Sequence, residues 1–246
     1  MKKVLVVAVL LVVAWSGCAF AATMVDFNPY TTDLFAERPF LTENARTELG
    51  VFEMNAGYNM ALFQGNTTTQ SVRAHINYGV TKNMTLGICL PYVGGYDGVN
   101  NAQIGIKYSL NSMIKAICPK EGVLDAAMSY TFVPGSMDYA LKLILGKDLD
   151  KVNFCANLGY IKHSSQKTSI VYSGAVNFLL SSKLNLGGEI VGEVTREGGV
   201  ANLTNASLAC KYWLTDSFNV DLGVGTTIMS GPALYGTAGF TWFLED

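Results

Sequence analysis

The stretch QSVRAHINYGVTKNMTLGICLPY, Gln70 to Tyr92, decides how this chain folds. Val72, Ala74, Ile76, Tyr78 and Val80 form one set, and Ser71, Arg73, His75, Asn77 and Gly79 form the other. After Thr81-Lys82-Asn83 the alternation resumes, with Met84, Leu86, Ile88, Leu90 and Tyr92 against Thr85, Gly87, Cys89, Pro91 and Val93. A period of two puts alternate side chains on opposite faces of an extended chain, so the stretch predicts a hairpin with one apolar face. That face can pack on a soluble core or meet lipid.

The same pattern recurs on both sides. Upstream, Phe52, Met54, Ala56 and Tyr58 alternate with Glu53, Asn55, Gly57 and Asn59. Downstream come apolar sets at Ile104–Leu110, Leu124–Phe132, Tyr139–Leu145 and Val152–Tyr160. Further sets follow at Ile170–Phe178, Leu184–Val194, Ala206–Leu214, Phe218–Ile228 and Ala238–Trp242, making twelve segments in all. Segments of about ten residues with one apolar and one small or polar face are the signature of a transmembrane β-barrel. The opposite face is dominated by Gly, Ser, Thr and Asn, and only 15% of the chain is charged. A soluble surface is usually richer in charge. The expected fold is therefore all-β, a single antiparallel transmembrane up-and-down barrel of twelve strands.

Aromatic residues of the apolar phase gather toward segment ends, as interface girdles require. Tyr58, Tyr92, Phe132, Tyr139 and Tyr160 fall toward one rim, and Tyr78, Tyr108, Phe178, Tyr212 and Phe218 toward the other. The connections Thr81–Asn83, Asp148–Lys151, Ser181-Ser182 and Thr215–Ser217 are short and polar, as periplasmic turns are, and Asn111–Lys120 is the longer one on that side. The outward loops near 64–69, 94–100, 164–167 and 195–200 are modest and offer little material for a large plug.

The N-terminus supports export. Lys2 and Lys3 precede the apolar run Val4–Ala14 and the small-x-small site Ala19-Phe20-Ala21, which describes a secretory signal peptide over residues 1–21. A lipoprotein signal ending at Cys18 is the rival, with Trp15 where an aliphatic residue is expected. Residues 22–46 then read as a periplasmic lead-in and 47–246 as the barrel. The whole chain holds 17 basic and 19 acidic residues, and Lys2 and Lys3 leave with the leader, so no nucleic-acid footprint exists. Cys89, Cys118, Cys155 and Cys210 are scattered without metal-ligand spacing. No cofactor or metal is expected, and the partners are outer-membrane lipid and small solutes.

Three stretches resemble a known family. ERPFLTENARTELGVFEMNAGY, Glu37–Tyr58, is similar to the run-in and first strand of an outer-membrane family labelled for the "MetA-pathway of phenol degradation". YGVTKNMTLGICLPYV, Tyr78–Val93, resembles its recurring strand-turn-strand with a Leu-Pro-Tyr end, and NAQIGIKYSL, Asn101–Leu110, its next strand. The resemblance implies a single-chain transporter-like barrel and brings no catalytic residues. Here Phe243 is followed by Leu-Glu-Asp, a departure from the family's pattern.

The inward phase carries the candidate site. Glu53, Arg73, His75, Lys107, Asp125, Lys142, Glu189, Glu193, Lys211 and Asp221 all fall on it. Neighbouring segments alternate in sign, which suits salt bridges that fill a narrow lumen. It equally suits a charged constriction that selects small solutes. If Asp216 centres its turn, Lys211 and Asp221 stand opposite one another, with Glu189 in reach of Lys211. The expected function is passive passage of small solutes, hydrophobic or aromatic ones included. A purely structural barrel is the alternative. An outer-membrane acyl hydrolase or acyltransferase using His163-Ser164-Ser165 is a further one, disfavoured because His163 and Ser165 share the inward phase while lipid arrives from outside.

Overall fold

A computed structural model describes residues 34, 38, 42–45, 47–63, 68–93, 102–117, 124–136, 138–162, 168–195, 203–229 and 233–245. The first strands are β1 (Val51–Phe63), β2 (Thr68–Thr81), β3 (Met84–Val93) and β4 (Gln103–Ser109). A short helix, α1 (Asn111–Ile117), precedes β5 (Asp125–Phe132), β6 (Tyr139–Leu149), β7 (Val152–Lys162) and β8 (Thr168–Leu179). The chain ends with β9 (Leu184–Thr195), β10 (Leu203–Thr215), β11 (Phe218–Met229) and β12 (Ala233–Glu245). Each strand pairs antiparallel with its sequence neighbours, and β1 pairs with β12 to close the barrel. The expected twelve-stranded up-and-down barrel is the observed fold.

Closure matters because an open sheet edge carries unpaired N–H and C=O groups, which hydrocarbon cannot satisfy. The outer surface has the composition lipid requires. Leu208, Leu222, Val224, Leu234 and Ile228 point outward, Leu208 being 65% exposed, and they belong to the apolar phase of their strands. Large exposed apolar surfaces mark membrane or protein interaction sites. Among the described residues no helix is long and apolar enough to cross a membrane, which says nothing of a closed barrel of strands.

The short polar connections all lie at one end, called here the turn end. The longer one there contains α1. Asn111 ties it to β5: its Nδ2 donates to Asp125 Oδ1 at 2.7 Å and its Oδ1 accepts from Ala126 N at 2.8 Å. Outward aromatics at the opposite, loop end form a group, with Tyr139 6.0 Å from Tyr130 and 6.3 Å from Tyr160. Phe218 and Phe240 pair near the turn end at 5.7 Å. Tyr58 lies five residues before the end of β1, level across the sheet with Val72 and with Tyr92 near the end of β3. The side chain of Tyr92 lies outside the described residues.

The first strand begins at Val51, within the stretch 47–246 read as the barrel, and the described residues of 22–46 lie against the inner wall. Leu34 and Glu43 are fully buried, Thr42 and Ala45 nearly so. The physical cause is complementarity between this stretch and the wall, set out below. The leader, Cys18, Cys118 and His163–Ser165 lie outside the described residues.

Candidate functional site

Eight strands make a barrel whose interior side chains just fill, so twelve leave room for more. Leu34, Arg38 and Thr42–Ala45 occupy part of that room. Leu34 packs on Cys89 of β3 and over Gly105 of β4. Ala45 clusters with Ala127 and Ile144 of β5 and β6. Thr47 Oγ1 then donates to the carbonyl of Lys82, in the β2–β3 turn, at 2.7 Å. The stretch therefore reaches the turn end, where Gly50, at φ 79°, supplies the left-handed step into β1. Gly50 N donates to Gly79 O at 2.8 Å, and a side chain on Gly79 would coincide with the carbonyl oxygen of Glu48.

Arg38 is held by three strands. Its Nε donates to Asp221 Oδ2 at 3.2 Å and its Nη2 to Asp221 Oδ1 at 3.0 Å. Nη2 also donates to Thr237 Oγ1 at 2.7 Å. The guanidinium lies on Gly57 of β1 and Gly239 of β12, partners in the closing pair, where any Cβ would coincide with it. A two-pronged Arg–carboxylate contact adds geometric specificity and is stronger than a neutral hydrogen bond.

Glu43 makes the second anchor. Lys142 Nζ donates to its Oε1 at 2.8 Å and Ser129 Oγ to its Oε2 at 2.7 Å. Its backbone is read by Asn157, whose Oδ1 accepts from Glu43 N at 2.7 Å while Nδ2 donates to Glu43 O at 2.9 Å. The Asn157 side-chain amide thus pairs with the peptide as a neighbouring strand would. On either side, Thr42 N and Oγ1 both donate to Glu189 Oε1, at 2.5 and 2.6 Å, and Lys107 Nζ donates to Asn44 O at 3.2 Å.

The ten charged or titratable residues expected inward are placed as follows. Arg73, His75, Lys107, Lys142, Glu189, Lys211 and Asp221 are buried on the inner wall, and Glu53, Asp125 and Glu193 are half-buried in the same phase. Lys211 and Asp221 are direct partners in the β10–β11 register. Four of the ten, Lys107, Lys142, Glu189 and Asp221, bond residues 38–44. Arg38–Asp221 and Glu43–Lys142 are ion pairs that join the inner segment to the wall. Arg38, Thr42 and Glu43 were missed as lumen residues because they carry no strand periodicity. Their one signal was a pair of opposite charges in a stretch that alternation leaves unassigned.

A second feature is a polar belt nearer the turn end. Asn219, Thr241, Asn55, His75, Cys89 and Gln103 are successive cross-strand partners from β11 round to β4, and all are buried. Both side-chain polar atoms of Asn219, the Thr241 hydroxyl and Gln103 Oε1 bond no described residue. Buried groups of this kind cost about 1–3 kcal/mol each when unpaired, so this belt is polar wall and not apolar core. The inner wall also has an apolar patch toward the loop end, formed by Ala140, Ile161 and Val171. The described cysteines, Cys89, Cys155 and Cys210, form no disulfide with one another.

No protein-family model matches the chain, and no curated protein does. Solved structures do. The chain is similar to the NanC porin, with a TM-score of 0.59 at 12% identity, over 78% of this chain and 98% of that one. It is similar to the KdgM porin, with a TM-score of 0.56 at 11% identity over 76% and 98%. The COG4313 outer membrane channel from Pseudomonas putida F1 aligns at a TM-score of 0.54 and 12% identity, over 90% of this chain and all of that one. These neighbours are porins and a channel, not enzymes. At such identities the likeness is one of fold, and the fold is that of the outer-membrane porin-like barrels.

Proposed function

We propose that the protein is an outer-membrane channel through which small solutes pass passively, with Leu34, Arg38 and Thr42–Ala45 narrowing the lumen. The observation that carries this is the inversion of polarity across the wall: charged and amide side chains face inward in rows, while Leu, Val, Ile and Tyr face outward. The likeness to porins and to a channel of similar length supports it. We place the turn end in the periplasm, as short turns do in such barrels. The apolar patch of Ala140, Ile161 and Val171 supports solutes with a hydrophobic or aromatic part, as does the resemblance of the first strands to the phenol-degradation family.

A structural barrel with a closed lumen is the second reading, favoured by the burial of Glu43 and its pairing with Lys142. Liposome swelling with sugars and aromatic acids of graded size separates the two. A channel gives size-dependent swelling, and deletion of residues 34–46 raises the size limit. No swelling with either protein would establish the structural barrel.

A further inference from the structure

The seat of Arg38 is built for its side-chain head alone. Across the inner wall the partners run Lys211, Asp221, Gly239, Gly57, Arg73, from β10 round to β2. Two adjacent glycines on paired strands leave a flat floor between longer side chains, and the planar guanidinium lies on that floor. The rim supplies both oxygens of Asp221 and the hydroxyl of Thr237. Floor and rim are independent features, and both fit one chemical group. An ammonium ion is compact and cannot present two parallel N–H donors to a carboxylate. The Asp221 side chain is wholly buried and that of Arg38 nearly so, which makes an unpaired carboxylate here costly.

We propose that this notch is a guanidinium-binding site that a guanidinium-bearing solute in the lumen takes over from Arg38, loosening the inner segment as it binds. The idea rests on the channel reading, since the solute arrives through the lumen. Direct exchange keeps Asp221 paired throughout. It returns Arg38, a cation, to a lumen lined by Asn55, Asn219 and Thr241, whose side-chain oxygens can accept from it. The Glu43–Lys142 and Thr42–Glu189 contacts persist, so the exchange frees only the Arg38 end of the segment.

The test uses full-length protein in detergent and methylguanidinium at millimolar concentration, with methylammonium as the matched cation. Arg38→Ala empties the notch, and heat-modifiable gel mobility verifies that it folds. Methylguanidinium should raise the thermal midpoint of this variant by about 2 °C or more, and methylammonium should not. The shift should vanish in Arg38→Ala/Asp221→Asn and in Arg38→Ala/Gly57→Ala, whose methyl group fills the floor. Equal protection by both cations, or protection surviving either second substitution, would overturn the site. Should Arg38→Ala not fold, native protein in bilayers decides. Methylguanidinium should then change conductance at least about twofold more than methylammonium does, and Asp221→Asn should abolish the difference. A variant that binds methylguanidinium while the native protein never conducts would sink the channel reading alone. A conducting protein that distinguishes the cations in neither assay would sink the notch alone.

Discussion

Lys211 of β10 and Asp221 of β11 stand directly opposite one another across the Thr215–Ser217 turn, yet both carboxylate oxygens of Asp221 accept from Arg38, 183 positions away. A local hairpin partner and a distant one meet at the same carboxylate. That junction ties the barrel wall to what lies inside it, and its charge balance sets the first prediction.

Asp221→Asn leaves a nearly buried guanidinium without its counter-charge, a change that costs about 3–5 kcal/mol. Unfolding in detergent should show a lowered midpoint. In bilayers at low salt, where screening is weak, the loss of one negative charge should move reversal potentials toward anion preference. Lys211→Ala should move them the other way. Identical potentials in both variants would restrict these charges to a structural role.

Glu43 and Lys142 form the buried pair that a double-mutant cycle can isolate. Lys142→Met alone strands the Glu43 carboxylate and should cost about 3–5 kcal/mol, whereas Glu43→Gln with Lys142→Met removes both charges and should recover most of it. Denaturant unfolding of the four proteins measures the coupling. Strictly additive losses would show that the inner segment is not held by this pair.

Gly79→Ala should detach the stretch that leads into β1, because the new methyl group would coincide with the backbone carbonyl of Glu48, which has no rotamer to yield. Gly174→Ala is the control: its nearest neighbour is Cys155 O at 3.9 Å, an ordinary contact. Limited trypsin digestion after Arg46 should speed up in the first variant and not in the second. Equal rates would mean that the Glu48 peptide adjusts without leaving the wall.

Tyr58, Tyr108 and Tyr212 are exposed on the outer face, between 41% and 45%, while Arg73 and Lys107 are buried on the inner one. Cysteines placed at the tyrosine positions should react with a lipid-restricted label, and those at 53, 73 and 107 should stay silent. The reverse pattern would require a register shifted by one residue, which exchanges the two faces of every strand.

The legible part of this protein was whatever repeats locally. Val72 to Val80 and Met84 to Tyr92 disclosed their faces through a period of two, and the turn at Asp216 fixed the Lys211–Asp221 register by counting. The helix α1 was not foreseen, since a seven-residue helix is too short to show a period and is anchored by Asn111 to the neighbouring strand. Residues 22–46 were read as an external lead-in for a related reason. Without alternation, polarity alone suggests water outside the barrel as readily as water within it.

The sequence by itself determined the strand count, the inward and outward phases and the closed antiparallel barrel, because side-chain alternation and short turns are properties of neighbouring residues. Only the tertiary structure decided what fills the lumen. Gly57 and Gly239 become one floor solely because β1 pairs with β12, and Thr237 of β12 and Asp221 of the adjacent β11 rim it. Arg38 finds its seat at the junction of the chain's two ends. No window of sequence contains that site, since ring closure brings together its parts and burial selects the charge that fits them.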